Sequence, residues 1–288
     1  MPDWPDADVR ALQAPLAING GGCRVPKLLV ILLAAFLATS AAASPFAWPD
    51  GKKAAIVLTY DDALDSHLDV AGPQLEAAGL RATFFLNGGF EPSRVARWRG
   101  LVQAGHELGN HSMFHPCPRD AFPMDPQFNA ERYTTTGMLR EIGAMNTLLH
   151  AIDGKRDRTY SVPCSVSLAG GVDYTDALKA SGLVRYVRTG VPSGGVIRDP
   201  MMLDPYRVPS RSFPETATAE DLIAYVQEVQ RVGGMGVFMF HGVGGDYLTV
   251  SAQAHQGLLR YLKANEAGIW VAPFAEVMDQ ATRSANRP

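Results

Sequence analysis

Two short motifs hold the side chains best suited to chemistry. The tetrapeptide Thr59-Tyr60-Asp61-Asp62 places two carboxylates side by side, and His111 and His115 follow in the later motif His-Ser-Met-Phe-His-Pro. One carboxylate and two imidazoles suit a borderline divalent cation such as zinc, and three protein ligands leave one coordination position open for water. The second carboxylate is then free to accept a proton from that water, which the cation makes more acidic. The two motifs therefore predict metal-assisted hydrolysis.

Each motif follows a predicted strand. Residues 54–59 form an apolar, partly β-branched run that ends at the acidic pair, and residues 107–109 lead into the two histidines. A third apolar run, residues 236–240, ends at another histidine, His241. Functional groups of an α/β barrel collect at the carboxyl ends of its strands, so we expect the two aspartates and three histidines to lie on one rim.

The rest of the chain alternates between strand-like and helix-like segments. Seven or eight β/α units without repeats or a linker predict an α/β barrel with a single core. The stretch 189–214 is rich in Pro, Gly and Ser and is predicted to be loop except near residues 206–208. Further strands are predicted at 82–86, 159–162, 185–188 and 269–271, and helices at 68–78, 93–104, 130–152 and 174–181, after the caps Thr218 and Ser251, and from residue 274.

The amino-terminal residues are typical of a signal peptide. Arg24 and Lys27 precede the apolar run 28–38, and the alanines at 41–43 supply a small-residue cleavage site. The run is short for a bilayer span, which needs about twenty apolar residues. We therefore expect residues 1–43 to be removed and residues 44–288 to be exported, to the periplasm or outside the cell, without a stable membrane span. An uncleaved anchor is the alternative.

Composition limits the choice of partner. The 288 residues include 47% hydrophobic and 19% charged residues, with a formal net charge of -3 and no run of basic residues. Nucleic acid is therefore a disfavoured partner.

Three segments together resemble the polysaccharide deacetylases, the NodB-homology or carbohydrate esterase family 4 enzymes. Residues 59–62 are similar to the TFDD signature of that family, GHELGNHSMFHP to its H-S/T-x-x-H-P signature, and GVFMFH to its strand-plus-histidine signature. The resemblance covers about residues 54–280. It implies a distorted (β/α)₇ barrel and removal of acetyl groups from amino sugars or, less often, from xylan.

The resemblance also implies a role for each site residue. Asp62, His111 and His115 match the metal ligands and Asp61 matches the general base. His241 matches the general acid that protonates the departing amine, and the backbone N–H of Cys164 matches an oxyanion donor. Zinc is the expected metal, although cobalt and nickel tolerate the same ligands.

Two positions depart from the pattern of the family. Many members carry an arginine, paired with the base, in the segment that matches residues 160–164, where this chain has Ser161; Arg188 and Arg207 are the candidate substitutes. No clear motif marks the aspartate that orients the acid histidine. Asp199 and Asp204 are candidates for it, but we expect both to be ordinary turn residues.

The cysteines are predicted to pair. Cys23 lies in the predicted signal peptide, so export leaves Cys117 and Cys164. An even number of cysteines in an oxidising compartment favours a disulfide. The resemblance to the family places Cys164 near the predicted metal site, to which His115 contributes. Two unpaired thiols are the alternative.

Three functions remain open. The first is hydrolysis of N-acetyl groups on a glycan such as peptidoglycan, a chitin-like oligomer or an exopolysaccharide. The second is an O-acetyl esterase acting on xylan or another acetylated sugar, and the third is an inactive carbohydrate-binding barrel. The remaining histidines are predicted to be structural or surface residues, because the metal already has three good ligands; they are His67, His106, His150 and His255.

Overall fold

The computed structural model describes residues 46–190 and 195–285, so the predicted signal peptide lies outside the described residues. Seven parallel strands close into a barrel, in the order β1-β2-β3-β4-β7-β9-β10. The described strands are β1 (Ala54–Asp61), β2 (Thr83–Leu86), β3 (Glu107–Asn110), β4 (Thr159–Ser161), β5 (Leu168–Ala169), β6 (Val172–Asp173), β7 (Tyr186–Gly190), β8 (Val196–Ile197), β9 (Val208–Ser212), β10 (Met235–Phe240) and β11 (Ile269–Val271).

Strand β1 closes the ring. It pairs with β10 from Ala55↔Met235 to Tyr60↔Phe240, and its carboxyl-terminal half pairs with β2. Strand β11 lies parallel to the first half of β1, and β8 runs antiparallel to the start of β10. Because β1 has strands on both edges and is buried along its whole length, its apolar run is that of a central strand.

Helices pack around the ring. Helix α1 continues from a π-helical turn, His67–Ala71, and α5 begins with the predicted capping box, in which Thr218 and Asp221 satisfy each other's backbone N–H groups. The described helices are α1 (Gly72–Ala78), α2 (Val95–Gln103), α3 (Thr135–Asp153), α4 (Thr175–Ser181), α5 (Ala219–Val232), α6 (Ala252–Ala264) and α7 (Phe274–Ala285). None of the helices in the described ranges is long and apolar enough to cross a membrane.

The two faces of β1 enter different core clusters, as expected for a strand with side chains of period two. Ile56 and Leu58 pack with residues of the surrounding helices α1, α5 and α6. Val57 belongs to a second cluster, to which α7 contributes Phe274 and Met278. The first turn of α7 also donates backbone N–H groups to side chains at the start of β2 and β3, so this helix covers the amino-terminal end of the barrel.

The predicted loop at 189–214 was only partly right. Strand β7 extends to Gly190, and β9 spans Val208–Ser212 instead of residues 206–208 because it pairs with both β7 and β10. The short strand β8 and the β5–β6 hairpin were also missed. The predicted helix 130–152 starts late, at Thr135, because Thr134 caps it and residues 130–132 form a separate 3-10 turn.

Candidate metal and catalytic site

The five predicted site residues meet at the carboxyl-terminal rim of the barrel. Asp61 ends β1 and Asp62 follows it, His111 and His115 follow β3, and His241 follows β10. All five line a single cavity of about 910 Å³. Side chains that are far apart in the chain thus meet at one rim, as predicted from the rule that functional groups of a parallel barrel lie at the carboxyl ends of its strands, here called the rim rule.

Asp62, His111 and His115, here called the metal triad, have the spacing of a cation site. Asp62 Oδ1 lies 3.4 Å from His111 Nε2 and 3.2 Å from His115 Nε2, and the two imidazole nitrogens are 3.1 Å apart. Ligands about 2.0–2.1 Å from a tetrahedral zinc ion lie about 3.3 Å from one another. The three donor atoms thus fit three corners of a tetrahedron around a divalent cation.

The protein holds both imidazoles in a form that can bind a metal. Nδ1 of His111 lies 2.7 Å from the Ser161 carbonyl oxygen, to which it can donate only as N–H, so the Nε2 lone pair is left for a ligand bond. Burial and the neighbouring His111 lower the pKa of His115 to about 4, so its ring is neutral near pH 7. Burial raises the pKa of Asp62, but the three site histidines and a hydrogen bond from Tyr247 outweigh it and keep that pKa below its usual value.

Hydrogen bonds with neighbouring side chains hold the segment that carries His115 in place. Ser112 and His115 adopt positive φ angles of 63° and 53°, a costly conformation for residues other than glycine. Asn110 Oδ1 accepts from the Ser112 N–H at 2.7 Å, and Glu141 Oε1 accepts from the Phe114 N–H at 2.6 Å. Burial raises the pKa of Glu141 to about 7. Helix α3 therefore supports the strained turn that aims the second histidine.

Asp61 lies beside the metal triad and is held by an arginine. It is 2% exposed, and its Oδ2 accepts from Arg188, which also donates to Ser161 and to Ser210 Oγ. Its Oδ1 has no protein partner among the described residues. Burial lowers the pKa of the Arg188 guanidinium, while the Asp61 carboxylate opposes that change.

Of the two candidate arginines, Arg188 is the one that pairs with Asp61. Arg207 is on the surface and binds Asp173 and Asp204 instead. Asp204 accepts from the Tyr206 N–H, and Asp199 caps the turn that follows it, so both are turn residues as expected.

His241 lies on the rim beside Asp62 of the metal triad. Its Nε2 lies 3.7 Å from Asp62 Oδ2, and its backbone carbonyl accepts a hydrogen bond of 2.8 Å from His67 Nε2. Burial lowers the pKa of His67 to about 4, so it is a neutral structural residue that fixes the start of the loop after β10.

Two side chains at the site were missed by sequence reasoning. Asn87 Nδ2 donates to Asp62 Oδ1 at 3.3 Å, and the Tyr247 hydroxyl donates to Asp62 Oδ2 at 3.0 Å. Asn87 directly follows β2, so the rim rule could have found it. Tyr247 lies inside a glycine-rich loop and has no comparable signal in the sequence.

A disulfide joins Cys117 to Cys164, as predicted, with the Cα atoms 5.7 Å apart. It ties the chain just after His115 to the turn after β4. Cys164 has a left-handed backbone with φ of 48° and lines the cavity. Cys117 and Cys164 also lie near His115 in a second group of potential metal donors, but bonded sulfurs are not thiolate ligands, which leaves the metal triad as the candidate cation site among the described residues.

Comparison with known proteins gives the same fold. A family model described as polysaccharide deacetylase matches residues 49–180. A putative polysaccharide deacetylase from Mycobacterium smegmatis is similar with a TM-score of 0.61 and 17% identity, covering 85% of this chain and 96% of that chain. Peptidoglycan deacetylase PdaC from Bacillus subtilis is similar with a TM-score of 0.52 and 17% identity, covering 80% and 92%.

A family 4 acetyl xylan esterase from Clostridium thermocellum, in complex with a cobalt ion, is also similar, with a TM-score of 0.50 and 19% identity over 78% of this chain and 90% of that chain. At such identities the structural likeness establishes the (β/α)₇ barrel and leaves the substrate open. The segment that the family model matches ends at residue 180, before Arg188 and His241. These two residues join the site only through the closure of the barrel.

Proposed function

We propose that this protein is a metal-dependent hydrolase that removes N-acetyl groups from an N-acetylated glycan, since a polysaccharide deacetylase family model matches its residues 49–180. The main support is the metal triad, whose donors have tetrahedral spacing, beside a buried aspartate that the triad does not use. Zinc is the proposed metal, with cobalt or nickel as substitutes. The sequence of residues 24–43 supports export, to the periplasm or outside the cell.

The chemistry divides among the residues of the rim. Asp62, His111 and His115 would hold a divalent cation, which would supply Lewis acidity to a water molecule and to the substrate carbonyl. Asp61, held by Arg188, accepts the proton of the attacking water. The Cys164 N–H, fixed by the disulfide, donates to the developing oxyanion. His241 donates a proton to the departing nitrogen, which cannot leave as an amide anion.

Acetate release tests this proposal. The metal-stripped protein is assayed on chitin oligomers, peptidoglycan and acetylated xylan with zinc, cobalt or nickel added back. We expect one cation to restore acetate release from an N-acetylated substrate and Asp61→Asn to lower kcat by about 10²–10⁴-fold. Asp65→Asn, in an exposed ion pair with Arg94, is the matched control and should keep its rate. Full activity in Asp61→Asn contradicts the proposal.

An O-acetyl esterase is the second candidate, because the same residues serve an ester. An alcohol leaves more readily than an amine, so an ester needs the acid less. His241→Ala should therefore reduce amide cleavage far more than ester cleavage, whereas His150→Ala, an exposed histidine at the end of α3, should change neither. Equal losses on both substrates contradict the role of His241 as the acid.

An inactive carbohydrate-binding barrel is the third candidate. Such a protein binds glycans but releases no acetate with any added cation, and Asp61→Asn leaves its binding unchanged. The pairing of Arg188 with Asp61 weakens this alternative, because the barrel retains an arginine beside the base from another strand.

A further inference from the structure

Exposed apolar side chains are concentrated around the opening of the site. Seven large apolar residues of the described chain are strongly exposed, and four of them line the catalytic cavity. Single exposed apolar residues are common on any protein, but a group around one opening is typical of a binding surface. These four residues are Phe114, Phe122, Tyr247 and Leu248, with exposed fractions of 58%, 46%, 53% and 57%.

The four residues and two neighbours form what we call the apolar rim, on two sides of the cavity. On one side the segment after β3 supplies Phe114, whose ring stacks on Phe128 with centroids 5.2 Å apart. The same segment adds Phe122 and Met124, and the loop after β10 supplies Tyr247 and Leu248 on the other side. The rim is continuous with the metal triad, because Phe114 precedes His115 and the Tyr247 hydroxyl binds Asp62.

The rim offers few partners for a sugar. Outside the residues already assigned to the metal and the chemistry, Ser165, Ser212 and Asn87 supply the polar side chains of the described lining, which contains no lysine, arginine, glutamate or glutamine. Hydroxyl groups that leave water without a hydrogen-bond partner lose free energy, whereas aliphatic and aromatic groups gain it. The rim is therefore matched to an apolar group on the substrate.

We infer that the substrate of this site carries an apolar group, an alkyl chain or an aryl ring, close to the scissile acyl linkage, and that the apolar rim binds it. This inference rests on the proposed hydrolase function for its kinetic test. Two positions on a substrate can supply such a group: the acyl chain itself, or a substituent on the sugar that keeps the amine. Both use the same chemistry, and the experiment separates them.

The kinetic test compares two series of glucosamine derivatives with the metal-loaded protein. One series lengthens the acyl group from N-acetyl to N-octanoyl, and the other lengthens a glycosidic alkyl group from methyl to octyl while the N-acetyl group is kept. In the series that fits the rim we expect kcat/KM to rise about three- to four-fold per added methylene until the cavity is filled. Flat or falling kcat/KM in both series overturns the inference.

Variants connect the effect to the rim. Phe122→Ala and Leu248→Ala should each reduce the advantage of the longest substrate over the shortest at least about five-fold. Met202→Ala is the matched control, since Met202 is 83% exposed and lies outside the cavity lining. An advantage that survives both rim substitutions, or that Met202→Ala reduces equally, also overturns the inference.

A binding measurement separates this inference from the proposed function. Asp61→Asn protein is titrated by calorimetry with the methyl and octyl glycosides of N-acetylglucosamine, below the micelle concentration of the latter. Preference of the Asp61→Asn protein for the octyl glycoside, with no hydrolysis of any substrate by the unmodified metal-loaded protein, supports the rim and contradicts the hydrolase. Equal affinities for the two glycosides, together with flat kcat/KM along the acyl series and acetate release from both glycosides at equal rates by the unmodified protein, support the hydrolase and overturn the rim.

Discussion

Replacing Arg188 with methionine should destabilise the barrel and impair catalysis together. Arg188 is 1% exposed and pairs with Asp61, which is 2% exposed. Methionine has a similar length but no donor, so the carboxylate of Asp61 stays buried without its counter-charge. Removing one partner of a buried ion pair costs about 3–5 kcal/mol. In a domain of this size each kcal/mol lowers Tm by about 2–4 °C, so we expect a loss of about 6–20 °C.

The same substitution should lower kcat more than it raises KM. Arg188 holds Oδ2 of Asp61 and leaves Oδ1 as the oxygen without a protein partner, so Arg188 is a positioning residue for the proposed base. A displaced base loses about 10²-fold or more in kcat. Arg188→Lys should fall between the two, because an ammonium keeps the charge but cannot bind Asp61, Ser161 and Ser210 with a planar fork.

Thermal denaturation followed by circular dichroism, together with acetate-release kinetics, provides the assay. Arg207→Met is the matched control: its exposed ion pairs contribute at most about 1 kcal/mol, and Arg207 lies away from the cavity lining. If Arg188→Met unfolds at the same temperature as Arg207→Met and retains its kcat, the reasoning about Asp61 is wrong.

Three further predictions concern stability. Replacing Cys117 and Cys164 with alanine should lower the free energy of unfolding, measured by urea titration, by about 4 kcal/mol, because the disulfide closes a loop with a sequence separation of 47 residues. An unchanged urea midpoint contradicts this. Tyr60→Phe should cost about 1–3 kcal/mol by thermal denaturation, since it leaves the buried Nε2 of His255 without its partner at 2.6 Å; an unchanged Tm contradicts this. Burial raises the pKa of Glu141 to about 7, so between about pH 4.5 and 7 the folded protein keeps a proton that the unfolded chain has lost. The free energy of unfolding should therefore fall by up to about 3 kcal/mol as the pH rises through this range. Glu141→Gln should flatten this pH dependence in urea titrations, and an unchanged pH dependence contradicts the prediction.

Local patterns in the sequence were enough for much of the fold and for the grouping of the five site residues on one rim. The uninterrupted apolar run before Asp61 predicted a central strand, and Thr218 with Asp221 predicted the start of α5. The rim rule then placed the residues after β1, β3 and β10 together without any knowledge of their contacts. Such predictions succeed because they depend on neighbours in sequence or on a general property of parallel barrels.

Other features depend on pairings that leave no local trace. Arg188 reaches Asp61 across 127 positions, and only the order of strands round the ring brings β7 opposite β1. Strand β9 contains Pro209 and several polar residues, so its sequence resembles a loop, yet β7 and β10 on its two edges hold it in the ring. Tertiary context decided both cases.

Ring closure also has a consequence for biosynthesis. Between the end of β1 at Asp61 and the start of its second neighbour at Met235, 174 positions must leave the ribosome. At about 5–20 residues per second this takes about 9–35 seconds, during which one edge of β1 has no native strand beside it. A central, largely apolar strand with an open edge is a template for aggregation. The nascent chain therefore carries this open edge until β10, at residues 235–240, has been made.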